Sequence, residues 1–292
     1  MKIAVSSYSY QQYINAGKMT QLDVVKKAAE MGFSGIDFTD LKPDVNVKPT
    51  LAEQLAYAKL IRAEAEKYGV EIVAYTIGAN LYQGSAEADV KEVERLKGQL
   101  DVAAALGAKI MRHDVCYRET CNGKLVSFEA MLPTIAKNAR EVTEYAKTLG
   151  IRTCSENHGF IAQDSDRVER LYNTVRHENY GLLIDIGNFA CVDEDSARAV
   201  SRLASYAIHA HAKDFHVYPF GQVVDPSQKP FSTRGCRQLA GCAIGEGDIP
   251  VAQCVAILKR AGYDGFLTIE YEGAEDCIEG ISRGHENLKH WI

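Results

Sequence analysis

The chain has 292 residues, 46% hydrophobic and 25% charged, with a formal net charge of -6 and a pI near 5.8. That balance supplies no basic field for non-specific nucleic-acid binding, and no segment reaches the roughly 18 apolar residues of a membrane-spanning helix. The N-terminus MKIAVSSYSYQQ lacks the basic-then-apolar pattern of an export signal, so a cytoplasmic protein with reduced cysteines is expected.

Strand and helix signals alternate along the chain. KIAVSSYS opens with a strand at about residues 2–8, and short apolar runs recur at about 33–39, 70–77, 108–115, 151–157, 181–187, 206–213 and 265–271. Between them lie segments such as LDVVKKAAEM, LAEQLAYAKLIRAEAEKY and VAQCVAILKRA, whose apolar residues recur at intervals of three and four. Gly32, Gly69, Gly107, Gly150 and Gly262 stand where helices stop and strands begin. Eight βα units in strict order predict an α/β fold, a (β/α)8 TIM barrel forming a single domain over residues 1–292. An open doubly wound sheet is the alternative, weakened by the absence of GxGxxG after the first strand. One long irregular stretch, about residues 215–249, follows the seventh strand and reads as a binding loop at the catalytic face.

Four consecutive strands each end in a potential metal ligand: Glu156 in TCSENHG, Asp185 in GLLIDIGN, His211 in IHAHAKD and Glu270 in FLTIEYEG. Three carboxylates and one imidazole at one end of a barrel suit a single divalent ion, Mn²⁺ in preference, with Co²⁺, Mg²⁺ or Zn²⁺ compatible. His209 shares the face of His211 but lies deeper, as a supporting or core histidine. Lys213 is placed to bind a substrate oxygen or to form an ion pair. His158 follows Glu156 on the same strand face, and His113 with Asp114 ends the fourth strand; both histidines are candidate substrate contacts. Tyr8, Tyr10, Asp37 and Tyr75 are candidate pocket residues, and Glu272 reads as the partner of a basic group. Gly245, Gly247 and Asp248 shape a turn. Cys154, Cys191 and Cys254 read as small buried hydrophobes, whereas Cys116, Cys121, Cys236 and Cys242 fall in loops near the catalytic end.

The succession E-N-H after strand five, D-x-G-N after strand six, H-x-H-x-K-D on strand seven, G-E-G-D before the seventh helix and G-Y-D-G-x-L-x-I-E-Y-E at strand eight resembles the xylose isomerase-like superfamily. More narrowly it is similar to the sugar phosphate isomerase/epimerase group, over nearly the whole chain. The resemblance implies Glu156, Asp185, His211 and Glu270 as ligands, and Glu156 and Glu270 as a catalytic acid–base pair on opposite faces of the reacting carbon. It implies an isomerase or epimerase acting on a sugar, keto-sugar or cyclitol through a metal-stabilised enediolate. A lyase that dehydrates, or cleaves an oxidised glycoside, begins with the same C–H deprotonation and is the close competitor. An endonuclease IV-like phosphodiesterase or a non-catalytic sugar-binding subunit is less supported. Two positions depart from the ketohexose 3-epimerase pattern: Asn188 stands where a histidine is usual, and the arginine after the strand-seven histidine is missing, with Arg234 in the long loop as its substitute. The partner implied is a small carbohydrate; a homo-oligomer or a partner subunit is left open.

Overall fold

The computed structural model describes residues 1–117, 120–121 and 123–292, with Thr120 and Cys121 described by their backbone alone, so the side chain of Cys121 lies outside the described residues. Eight parallel strands pair in chain order: β1 (Lys2–Ser6), β2 (Gly35–Thr39), β3 (Glu71–Ile77), β4 (Ile110–His113), β5 (Arg152–Glu156), β6 (Tyr180–Asp185), β7 (Ala207–Ala212) and β8 (Phe266–Ile269). Val5 of β1 lies opposite Ile269 of β8, which closes the ring and excludes the open sheet. Helices follow each strand in the connections. The helix Leu51–Tyr68 shows why: Thr50 and Glu53 form a reciprocal cap, Tyr57, Ala58, Ile61 and Ala65 make one buried stripe, and Gly69 at φ 66° ends it. No described helix is long and apolar enough to cross a membrane.

The main core lies between the outward strand faces and the helices, and a small plug of Ala4, Val73 and Phe266 fills the lower barrel. Strand register shifts on β3 and again between β6 and β7, where Leu182 pairs with Ala207 but Leu183 with His209. Ile36 pairs with Ile72, yet Asp37 pairs with Ala74, so Val73 is an extra residue on β3. The first strand is shorter than expected because the Ser6 hydroxyl accepts from the Tyr8 amide and starts a 3₁₀ turn at Ser7–Tyr10.

The segment expected as an irregular loop over residues 215–249 is largely ordered into a flap. Asp214–Tyr218, Phe231–Ser232 and Gln238–Cys242 form a three-stranded antiparallel sheet, and Lys213 alone separates its first strand from β7. The Asp214 carboxylate gathers the turn after it, accepting from the amides of Phe215 (2.8 Å), Gly245 (2.8 Å), Gly247 (3.1 Å) and Ile249 (3.2 Å). Asp193, in the loop after β6, fastens the flap by accepting from Arg237 Nε at 2.7 Å and Thr233 Oγ1 at 2.8 Å.

Candidate metal and substrate site

Glu156 and Asp185 are the last residues of β5 and β6, His211 is the fifth residue of β7, and Glu270 follows β8 directly. Parallel pairing in register turns all four inward at one rim: Asp185 lies opposite His211, and the Glu270 amide donates to Ala212 O. One donor atom from each residue lies within 4.8 Å of every other. His211 Nδ1 is 3.9 Å from Glu156 Oε1 and 3.7 Å from Glu270 Oε1, near the spacing of atoms that share an ion at about 2.0–2.2 Å.

The residues beneath and beside this set orient it. His211 Nε2 is 2.9 Å from Asp37 Oδ2, and His209 Nε2 is 2.5 Å from the same oxygen, all three side chains being buried. Burial alone would raise the Asp37 pKa; the two imidazoles outweigh it and hold the carboxylate at about 2. With Nε2 committed to Asp37, His211 presents Nδ1 to the cluster. Asn157 locks β5 to β6 by donating to Asp185 O and accepting the Asp185 amide, both at 2.9 Å. Asp185 Oδ1 accepts from the amides of Gly187 (2.8 Å) and Asn188 (3.0 Å), which leaves Oδ2 turned to the centre.

Among the described residues, the buried cations are Arg112 and Lys213. Arg112 is ion-paired to Glu156 through Nη2, which also lies 2.9 Å from Asp114 Oδ1. Lys213 Nζ lies 2.7 Å from Glu270 Oε2, 3.4 Å from Asp185 Oδ2, 3.5 Å from Glu272 Oε1 and 3.2 Å from Asn188 Oδ1. Burial opposes the charge on Lys213, but the surrounding carboxylates raise its pKa well above the ordinary range. Glu270 responds in the other direction: burial is outweighed by Lys213 and His211, and its pKa falls well below the carboxylate range. Asp185 is left undercompensated, its pKa raised by burial to about 6 with the repulsion of Glu156 and Glu270 added.

The donor set fits a divalent cation. Asp185 Oδ2 and His211 Nδ1 are buried and make no hydrogen bond, facing charged groups only at longer distances, the nearest being 3.4 Å (Lys213 Nζ) and 3.7 Å (Glu270 Oε1). Three carboxylate donors and one imidazole match hard or borderline divalent ions.

Above the cluster opens a cavity of about 490 Å³ whose lining includes Lys213, Asn188 and Glu272 on the inner side, with Tyr8, Tyr117, His158, Phe160 and Phe231 around them. His158 Nδ1 is 2.8 Å from Asp114 Oδ1; burial works against its charge, yet Asp114 raises its pKa overall. Asp114 also accepts from the Tyr117 hydroxyl and, despite burial, is held at about 2 chiefly by Arg112. Asn188 Nδ2 donates to Glu156 Oε1 at 3.0 Å. Phe160 occupies the left-handed region at φ 67°, with its amide donating to Gln163 Oε1 at 2.6 Å; such a conformation costs a bulky residue about 1–3 kcal/mol.

The structure brings Glu156, Asp185, His211, Glu270, Lys213, Asn188 and His158 together, and it corrects several other expectations. His113 faces outward toward the helices, buried beside the Tyr180 ring with Nδ1 2.8 Å from Asp114 O, because on β4 the inward position belongs to Arg112. Arg234 pairs with Asp164 at 3.0 Å and lies outside the cavity lining. Tyr75 also faces outward, its hydroxyl donating to Gln99 at 2.7 Å, since the extra residue Val73 shifts its parity. Tyr10 is fully buried, and Asp37 lies under His211 instead of lining the pocket. Arg112 and Tyr117 were missing from the sequence reading. An arginine inside an apolar strand one residue before His113 was the available signal for the first.

Comparison with known proteins places these observations in a group. A family model described as xylose isomerase-like TIM barrel matches residues 25–291. Among curated proteins, inosose dehydratase of Clostridium perfringens is 25% identical over 152 residues, 52% of this chain, which spans only about half (50%) of that relative's length. The rhizopine catabolism protein MocC of Rhizobium meliloti is 26% identical over 241 residues, 76% of this chain and 70% of that protein. D-psicose 3-epimerase with D-tagatose from Clostridium cellulolyticum H10 shares the fold at a TM-score of 0.74, 15% identity and coverage of 100% and 99%. The IolI protein with a bound zinc atom does so at 0.73, 16% identity and the same coverage.

Proposed function

This chain belongs to the xylose isomerase-like TIM barrel family, and from that premise we propose that it is a divalent-metal-dependent isomerase or epimerase of a sugar, keto-sugar or cyclitol. The observation that carries the reading is the convergence of Glu156, Asp185, His211 and Glu270, with two buried donor atoms that make no hydrogen bond, next to Lys213 and Asn188, which line the adjoining cavity. Mn²⁺ is the preferred ion for this donor set. When bound, it supplies Lewis-acid polarisation of substrate oxygens next to the carbon that loses its proton.

The chain's own groups perform the proton transfer. Glu156 and Glu270 come from strands on different sides of the cluster, so they can address opposite faces of one carbon, one in its ionised form removing a proton and the other in its protonated form delivering one to the opposite face. Arg112 pairs with Glu156 and Lys213 with Glu270, which fixes both carboxylates in place. Asn188 holds Glu156 from the side, and Lys213 and Glu272 offer a donor and an acceptor to substrate hydroxyls where the cavity begins. Phe160 and the flap residue Phe231 line the adjoining cavity.

A lyase outcome is the second reading, favoured by the named dehydratase among the relatives and by the Asp114-bound His158 on the cavity wall. The deciding experiment incubates Mn²⁺-loaded protein with keto-sugars and 3-oxo-glycosides in D₂O and follows the solution by NMR. Deuterium next to the carbonyl with an epimer or isomer as product supports the first reading; an unsaturated product supports the second. Neither exchange nor product from metal-loaded protein across the panel defeats both.

A further inference from the structure

Lys213 sits where the proposed ligands meet the cavity, with its side chain only 4% exposed. Its backbone is fixed on both sides, by β7 before it and by the first strand of the flap after it. Gly187 packs against it so closely that an added Cβ there would lie 2.8 Å from Lys213 O and 2.9 Å from its Cβ. The ammonium, by contrast, ends a flexible four-carbon stem and reaches the carboxylates of Asp185, Glu270 and Glu272 from one position.

The two buried cations grip the cluster differently. Arg112 pairs with Glu156 through Oε2, whereas Oε1 is the oxygen turned to His211, and Asp114 Oδ1 at 2.9 Å anchors the guanidinium. Arg112 therefore stands outside the donor atoms. Lys213 also takes the outer oxygen of Glu270, Oε2 at 2.7 Å, but it lies 3.4 Å from Asp185 Oδ2. That oxygen faces the centre and makes no hydrogen bond, since the amides of Gly187 and Asn188 occupy Oδ1. An ammonium and a divalent ion would thus meet at one oxygen, where burial strengthens the repulsion between like charges. Glu272 gives the ammonium another position. Its Oε1 is already 3.5 Å away, it lines the cavity with Lys213, and it does not belong to the cluster of four donors.

We propose that Lys213 is the internal counter-ion of the metal site: without metal its ammonium holds Asp185 and Glu270 together, and a divalent ion displaces it onto Glu272. This rests on the metal-binding reading of the four donors above and adds the group that the ion must move. Lys213 then stabilises the metal-free barrel and lowers its metal affinity, because the same carboxylates cannot serve both cations fully. Glu272 supports metal binding without touching the ion, by receiving the ammonium. Once displaced, the ammonium lies at the inner end of the cavity, so the metal itself brings forward a donor for a substrate oxygen.

Calorimetric titration with Mn²⁺, and urea unfolding with Mn²⁺ or with EDTA, test this on wild type, Lys213→Met, Glu272→Gln and the double variant. Lys213→Met lowers the urea midpoint in EDTA yet binds Mn²⁺ about tenfold or more tightly. Mn²⁺ consequently raises its midpoint further than it raises that of wild type. Glu272→Gln weakens Mn²⁺ binding several-fold while Lys213 is present, and by less than about twofold in the Lys213→Met background. A lysine with a merely structural role would lose stability and metal affinity together on replacement. Unchanged or weaker Mn²⁺ binding by Lys213→Met overturns the proposal, as does an equal effect of Glu272→Gln in both backgrounds. If Lys213→Met does not fold, Glu272→Gln alone decides, and wild-type affinity in that variant overturns the proposal. Absence of Mn²⁺ binding by wild type defeats the metal reading as well. The expected affinities without C–H exchange in D₂O defeat the isomerase reading alone.

Discussion

His211 and Asp37 are joined through Nε2 and Oδ2 at 2.9 Å, and this bond decides which imidazole nitrogen meets the carboxylate cluster. Removing it frees the ring to rotate and to change tautomer. Asp37→Asn therefore lowers Mn²⁺ affinity by about 10–100-fold, the range for partners that orient a ligand, with the barrel retained. Metal titration followed by calorimetry checks this; wild-type affinity in the variant would show that packing alone fixes the ring.

Removal of a donor has a larger effect than removal of its support. Asp185→Ala and His211→Ala abolish stoichiometric binding of a divalent ion, read as metal per chain after gel filtration. Full retention in both variants would sink the ligand assignment.

Glu156→Gln and Glu270→Gln preserve size and one oxygen but remove the proton acceptor. Turnover drops by about two to four orders of magnitude in each, with a smaller change in substrate affinity, provided that metal occupancy is measured in the same samples. Near-normal C–H exchange in both metal-loaded variants would transfer the proton-carrying role to His158 or Lys213.

Arg112 is buried between Asp114 and Glu156. Arg112→Met leaves two buried carboxylates without their cation and destabilises the metal-free protein by about 3–5 kcal/mol. Urea unfolding gives the number, and adding Asp114→Asn to the same chain recovers part of the loss if the pairing is the cause.

His113 gives a pH signature. Burial lowers its pKa, so the folded imidazole stays neutral while the unfolded one takes a proton below its ordinary value of about 6.5. Its contribution to stability is full above that pH and declines as pH falls through it, at no more than about 1.4 kcal/mol per pH unit. His113→Asn flattens the fall in urea midpoint between pH 7 and pH 5 relative to wild type. Parallel curves would mean that His113 titrates normally in the fold.

The barrel and the convergence of Glu156, Asp185, His211 and Glu270 were legible because both follow from simple order: eight apolar runs, each stopped by a helix, and four donors at equivalent ends of consecutive strands. Parity was harder to read. On β4 only one of Arg112 and His113 can face inward, and a histidine attracts a catalytic reading more readily than an arginine in an apolar run. The inserted residue Val73 has no sequence mark, yet it turns Tyr75 outward. The flap escaped because its strands are short and separated by turn residues, and their pairing joins positions up to 28 residues apart, as Asp214 with Cys242.

The distribution of roles around the barrel has a consequence for how such a chain can change. All four inward donors come from β5 to β8, whereas three of the rings above them stand on the loops after β1, β4 and β5 and a fourth on the flap. The donors therefore sit on strand ends inside the barrel and the rings on the segments that connect them, so a ring can be replaced without moving the backbone that carries the four donors.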